Sequence, residues 1–383
     1  MWNLILVRYG EIGLKSEPVR GQMANRLLSH IRSSLKEEDI KEFNVTKTPG
    51  RVYVETDEIQ EALRALGYVF GIRSFSPCIK VDIDFSEFRR YSTQLLEGRL
   101  SSEETFAISA RRAGEHPFTS KDIEEKLGDY VRKEFGASVD LDNPDHTLFV
   151  EVRDDNAYLF LKKIEGLHGL PIGSQGKVVS LFSGGIDSPV ASTRLMKRGC
   201  RVIPVYMDKG RFDSGEMKKR TVEVKERLSR YSPYKMNLIE VDFEEIMQVI
   251  SENVFRLTCI LCKRSFYRLA EAVAEKIDAK GVVTGESIGQ VASQTLDNLY
   301  VLNEAVDLPV FRPLIGFDKI ESESISRELG FYEASSRNVG ECRALPNKVS
   351  TSADLKEVKE LEDKIQIKKY EKKALEKTNL RKN

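Results

Sequence analysis

Residues 183–188 read Ser-Gly-Gly-Ile-Asp-Ser, directly after the apolar run of residues 178–182 and just before Pro189, where a helix is expected to begin. A buried strand, a tight glycine turn and a helix N-terminus in succession make a nest for an anion. Gly184 and Gly185 let the backbone come close and turn sharply, so that successive N–H groups face pyrophosphate oxygens. Ser183 and Ser188 add hydroxyls, and Asp187 is placed to position Mg²⁺ or substrate near a leaving group. No Lys-Ser or Lys-Thr pair follows, as the GxxxxGK[ST] loop requires, which argues against γ-phosphate transfer. Ser, Gly and Asp are also ordinary turn residues; the nucleotide reading is preferred because the motif ends the first strand of an α/β pattern. Leu181-Phe182 and Tyr206-Met207 end strands at the same edge, as does Thr284-Gly285-Glu286-Ser287, with Gln294 shortly after as a hydrogen-bonding partner.

The cysteines come next. Cys259 and Cys262 form a C-x-x-C leading into a helix, a spacing that suits a metal, an iron–sulfur cluster or a redox pair. No second C-x-x-C supports a four-thiolate zinc site, and no small βαβ context supports a thioredoxin role. Cys342 lies in an expected loop that can meet the pair in space, and three thiolates with an open position suit a cluster whose remaining iron takes an external sulfur. The bland alternative is that each is a small buried apolar residue, and that reading is preferred for Cys78 and Cys200. The four histidines show no ligand spacing.

These residues need scaffolding. From residue 177 onward, short apolar runs at 178–182, 201–207, 236–242 and 281–284 alternate with helical stretches, the pattern of a parallel, doubly wound sheet with its chemistry at the strand C-terminal ends. Two α+β units precede it. The first has an expected helix over 18–36, with Arg20, Arg26 and Arg32 on its polar face. The second has a strand ending in Arg111-Arg112, a helix capped by Thr119 or Ser120, and a hairpin over 148–152 and 157–162 closing on Lys162-Lys163. The glycine-rich stretch 166–176 is the linker candidate. From residue 352 the chain is expected to be a charged, helical tail with Leu355, Val358, Leu361 and Ile365 on one face and its lysines last, the lysine-rich end either joining the RNA contacts or serving as a disordered solubiliser.

At 383 residues the length asks for two or three domains. Apolar residues at 40% and charged residues at 31% fit a globular chain, and 60 basic against 60 acidic residues leave no net field pointing to a polyanion. Five cysteines without a regular framework, no apolar run long enough to span a bilayer and no signal-like N-terminus point to a reducing cytoplasm and no membrane.

Taken together, Arg8-Tyr9-Gly10-Glu11-Ile12-Gly13-Leu14-Lys15, Arg111-Arg112 with His116-Pro117-Phe118-Thr119-Ser120, Gly169-Leu170-Pro171-Ile172-Gly173, the loop at 183–188 and residues 284–295 resemble the tRNA 4-thiouridine synthetase (tRNA sulfurtransferase, ThiI) family, over residues 1 to about 350. The loop itself resembles the PP-loop of ATP pyrophosphatases, which cleave between the α and β phosphates.

The resemblance implies an α/β protein: a ferredoxin-like domain (1–58), a THUMP RNA-binding domain (59–166), a linker (167–176), a Rossmann-like PP-loop adenylation domain (177–350) and a tail (351–383). It implies adenylation of O4 of uridine 8 in tRNA, followed by displacement of AMP by sulfur, and in some members sulfur transfer to a carrier protein for thiazole synthesis. ATP would be lined by Leu181, Phe182, Ser183, Gly184, Gly185, Asp187, Ser188, Tyr206, Met207, Lys263, Gly285 and Gln294, with Asp187 essential. Arg111, Arg112, Lys162 and Lys163 would contact tRNA. No rhodanese domain is expected, and the three cysteines resemble the archaeal type, in which they hold an iron–sulfur cluster fed by sulfide or a separate donor protein. Cys342 is left between cluster ligand and persulfide reactant. Family members are often homodimers. The alternatives are another PP-loop ligase or tRNA thiolase, and an RNA-binding module without catalysis.

Overall fold

The computed structural model describes residues 2–346 and 348–380; the last three residues of the expected tail lie outside the described residues. The chain forms two compact units, residues 1–169 and 170–383.

In the first unit the order is β1 (Leu4–Tyr9), α1 (Glu17–Glu37), β2 (Asn44–Thr48), β3 (Arg51–Glu55), α2 (Ile59–Leu66), β4 (Ile72–Val81), α3 (Phe85–Leu96), β5 (Thr105–Ala113), α4 (Ser120–Phe135), β6 (Ser138–Val139), β7 (His146–Arg153), β8 (Asn156–Phe160) and β9 (Ile164–Glu165). The sheet runs β2-β3-β1-β4-β8-β7-β5-β6, with β9 added on β4. The ten-residue β4 is shared: its Ile72–Cys78 stretch pairs with β1, and Ile79–Val81 pairs with β8. Strand β1 is a continuous apolar run because both its faces are covered. Leu4 and Leu6 pack with Tyr53, Cys78, Tyr158 and Phe160, and the other face lies under the paired helices α1 and α2. Helix α4 begins at a capping box in which Thr119 and Asp122 satisfy each other's backbone N–H groups.

Arg8 continues the Leu4, Leu6 face of β1 and is buried. It is tolerated because its Nε donates to Glu151 of β7 at 3.0 Å, its Nη1 donates to Ser76 at 3.0 Å, and its guanidinium lies over the Phe160 ring. Glu151 also accepts from Arg51 and Arg153 at 2.5 and 2.7 Å. Burial pushes the Glu151 pKa up, but Arg51 and Arg8 outweigh it and hold the carboxyl at about 2.

The second unit runs β10 (Lys177–Leu181), α5 (Asp187–Lys197), β11 (Arg201–Asp208), α6 (Gly215–Ser229), β12 (Ile239–Asp242), α7 (Glu244–Asn253), α8 (Thr258–Lys276), β13 (Val282–Val283), α9 (Leu296–Asn303), β14 (Val310–Phe311), α10 (Lys319–Glu328), α11 (Tyr332–Ser335), α12 (Leu355–Lys364) and α13 (Ile367–Lys377). All five strands are parallel, in the order β12-β11-β10-β13-β14. Helices α5, α6 and α10 form one packed group and α7, α8, α9 and α13 another, so the strands are buried on both faces and lose any polar alternation. The order reverses between β10 and β13, the switch point where open α/β sheets bind ligands.

Candidate functional site

The loop after β10 sits at that switch point. Phe182 N donates to Val205 O at 2.9 Å, which extends the β10–β11 ladder one residue further before the chain turns. Gly184 has φ +67°, and a Cβ there would lie 2.5 Å from Thr221 Cα, so only glycine fits the approach of α6. Thr221 stitches the two together by donating its hydroxyl to Ser183 O at 2.9 Å. Ser188, expected to offer its hydroxyl to phosphate, is buried, and its Oγ faces Gly185 O at 3.5 Å.

Asp187 opens α5. Lys319, the first residue of α10, reaches both its carboxylate oxygens at 3.1 Å, and Gln290 donates to Oδ2 at 3.2 Å. Gly285 packs against Asp187, whose backbone carbon would lie 2.8 Å from a Cβ at 285. An alanine there has no room unless Asp187 moves.

A cavity of about 120 Å³ opens beside the loop, lined by five of the residues proposed from sequence for ATP, Leu181, Phe182, Ser183, Tyr206 and Met207, and by Val205, Lys209, Met217 and Phe266. Its apolar walls with one lysine suit a flat heterocycle whose polar part lies toward the loop. Tyr206 is held by donating its hydroxyl to Asp213 at 3.2 Å; burial and then that carboxylate push its pKa up.

Lys263, Gly285 and Gln294 belong to the neighbouring β13 side. The Gln294 side-chain oxygen accepts weakly from Ser287 N at 3.4 Å. Lys263 donates to Glu286 at 3.2 Å. Glu286 is a buried hub that also accepts from Thr284, from Arg312 Nε at 3.1 Å and from Tyr267. Burial raises the Glu286 pKa, but Lys263, the Tyr267 hydrogen bond and Arg312 together lower it below the ordinary carboxylate value.

Cys259 and Cys262 stand three residues apart in the first turn of α8, and each feels the charge of Cys342, which the fold brings in from the loop after α11. That loop is pinned where Arg343 N donates to Phe212 O at 2.9 Å. Burial, chiefly, pushes the Cys259 and Cys262 thiols up. Lys209 lies near the same thiols and pairs with Asp213 at 2.6 Å. Burial works against its charge, but Cys342, Asp213 and Cys262 more than offset that and raise its pKa. The donor set suits an iron–sulfur cluster in kind and number. Among the described residues, however, no three His, Cys, Asp or Glu side chains are close enough to hold a metal as they stand.

Comparison with known proteins covers nearly all of the chain. Residues 173–367 match the family described as thiamine biosynthesis protein (ThiI), residues 4–76 its ferredoxin-like domain and residues 83–162 the THUMP domain. A probable tRNA sulfurtransferase of Methanothermobacter thermautotrophicus is 39% identical, covering 96% of this chain and 95% of that protein. The chain belongs to the tRNA sulfurtransferase (ThiI) family. A second relative of that description, from Thermococcus kodakarensis, is 40% identical over 90% of this chain and 92% of its own. A crystal structure of a 4-thiouridine synthetase–RNA complex with bound ATP superposes with a TM-score of 0.88 at 32% identity, covering 99% of both chains.

In this sulfurtransferase family member the four cations expected at RNA, Arg111, Arg112, Lys162 and Lys163, are all exposed. Arg111 ends on β5 beside Lys163, which follows β8; burial, then Arg111, Arg8 and Arg73, depress the Lys163 pKa. Arg73 therefore joins that cationic group although sequence reading missed it. Arg32, by contrast, is committed to the fold, donating to Val45 O at 2.8 Å. Lys319 and Thr221 were also missed. No motif spacing announces them, since they reach the loop from 132 and 38 residues away along the chain.

Proposed function

We propose that this sulfurtransferase family member converts uridine 8 of tRNA to 4-thiouridine, using ATP to adenylate O4 and then sulfur to displace AMP. The observation that carries the reading is Asp187 held between the anion-binding loop and Lys319 beside a heterocycle-sized cavity, in a chain whose relatives are described as tRNA sulfurtransferases. O4 attacks the α-phosphorus and pyrophosphate leaves into the loop; sulfur then attacks C4 and AMP departs. The charge that builds on the phosphates meets oriented N–H groups and the N-terminus of α5. Lys319 and Gln290 hold the Asp187 carboxylate in place, and Asp187 is the residue that would offer an oxygen to Mg²⁺ bound with the ATP phosphates. Arg111, Arg112, Lys162 and Lys163 hold phosphates of the tRNA.

Cys259, Cys262 and Cys342 are the residues that would hold an iron–sulfur cluster, whose chemistry there is to carry a terminal sulfur from sulfide or a donor protein. The chain's own part is to bring the loop that carries Cys342 toward the C-x-x-C of α8, near Lys209. The same sulfur can pass to a carrier protein for thiazole synthesis, in keeping with the description of the matched family.

The test is nucleoside mass spectrometry of tRNA, with pyrophosphate release measured in vitro. Asp187→Asn should abolish 4-thiouridine and lower tRNA-dependent pyrophosphate release by roughly 100-fold or more, with tRNA affinity kept. A non-catalytic RNA module would leave cellular function intact in that variant, and another PP-loop ligase would release pyrophosphate without tRNA.

A further inference from the structure

Helix α6 is packed hard against the loop at 183–188 through Thr221 and Gly184, where a Cβ on the glycine would fall 2.5 Å from the Thr221 backbone. The residue before, Arg220, is thereby brought to the same loop. Its Nη2 lies 3.9 Å from the place a Cβ on Gly185 would take, which is van der Waals contact with the space over the second glycine. From behind, the guanidinium is fixed by an Nη1 bond to the carbonyl of Arg337 at 3.1 Å. Its Nε is buried without an acceptor.

Arg220 is short of negative charge. Among the partly buried arginines of this unit, Arg264 has Glu362 and Glu304, Arg268 has Glu362 and Glu371, and Arg312 has Glu286, while Arg194 and Arg201 lie over the rings of Phe317 and Tyr234. Among the described residues no carboxylate forms an ion pair with Arg220, and the nearby Glu223 is taken by Arg337 and Arg227. A guanidinium withdrawn from water is expected to have an anion. Burial and the neighbouring Arg337 depress its pKa, and Tyr206 alone counters them. The one anion-seeking surface it touches is the glycine loop.

We infer that Arg220 is a further ATP-binding residue that grips the β and γ phosphates and holds the pyrophosphate as it leaves. A planar guanidinium matches two phosphate oxygens at once. As the α–β bond breaks, charge gathers on the β-phosphate oxygens, where a fixed cation is most effective. The inference rests on the adenylation reading above and adds to it the residue that receives the leaving group.

The full-length enzyme with Arg220→Met and with Arg220→Lys tests it, using KM for ATP, inhibition by inorganic pyrophosphate, and binding of AMP, which lacks the β and γ phosphates. Arg220→Met should weaken ATP and pyrophosphate by roughly 10- to 100-fold while AMP binding stays within about threefold; Arg220→Lys should recover part of the loss. ATP and pyrophosphate affinities near those of the unchanged enzyme would overturn the inference. So would an equal loss of AMP binding, because a residue that only props the loop at 337 harms both ligands alike. Should the unchanged enzyme release no pyrophosphate with tRNA, it is the adenylation reading that fails, and direct titration with pyrophosphate still decides the role of Arg220.

Discussion

Cys259 and Cys262 share one turn of α8, and Cys342 reaches them from 80 residues away in sequence. Burial raises the thiol pKa of both helix cysteines, so as free thiols they are poor nucleophiles; thiolate ligation to a metal would reverse that. Protein purified without oxygen should contain iron and absorb broadly in the visible, and Cys259→Ala should remove both. Iron-free, colourless and fully active protein would instead leave Cys342 as the residue that handles a persulfide. At this scale the readable part of the site was local: a strand, two glycines and Asp187 in a row announce an anion loop. Lys319, Thr221 and Arg220 were illegible because only the packing of α6 and α10 brings them there.

Among the elements, α12 and α13 act on α8. Sequence patterning foresaw a helical tail with Val358 on its apolar face, and Val358 is buried. It left the lysine-rich end as RNA binder or disordered solubiliser. Instead α13 is folded, and Lys373 and Lys377 pair with Glu245 and Asp242 at about 3 Å. The deeper contact is ionic and buried: Glu362 accepts from Arg264 at 2.9 Å and from Arg268 at 2.8 Å, and Glu371 accepts from Arg268. Charged residues on a tail read as solvated unless their partners on α8 are known, which is why this clamp escaped sequence reading. Removing one member of a buried ion cluster strands the others, at a cost of about 3 kcal/mol. Glu362→Gln should therefore lower the denaturant stability of the second unit by an amount of that order, with two-state analysis applied to that transition. A change below about 0.5 kcal/mol would show the clamp to be idle.

For the whole molecule, 60 positive and 60 negative residues cancel, so acid sensitivity should begin with particular buried groups rather than with net repulsion. His30 on α1 is the first. Burial, and then Arg26, depress its pKa from 6.5 to about 4. Its folded pKa is the lower one, so the stability linked to the neutral ring is fully present above pH 6.5 and is lost as the pH falls toward 4. Glu151 follows the same sign lower down, its contribution present above pH 4.5 and lost toward pH 2. Both lie in the first unit. At pH 5 the His30 contribution lost is about 2 kcal/mol, a drop of roughly 5 °C in the melting of that unit. Thermal melts of the whole chain at pH 7 and pH 5 should show a smaller drop for His30→Leu than for the unchanged protein; equal drops would refute the assignment.

Strand β4 belongs to two neighbourhoods at once. Its early residues complete the sheet around β1 and its last three begin the pairing with β8, while Arg8 and Glu151 bind across the same junction. Because a strand cannot be divided without exposing an unpaired edge, the first unit holds together as one cassette. A recombination boundary between residues 72 and 81 would leave both partners with raw edges, whereas one near residue 169 would carry the whole sheet intact. Chimaeras that exchange the first unit among relatives should therefore be cut after the strand that closes it, not at the border between its two named modules.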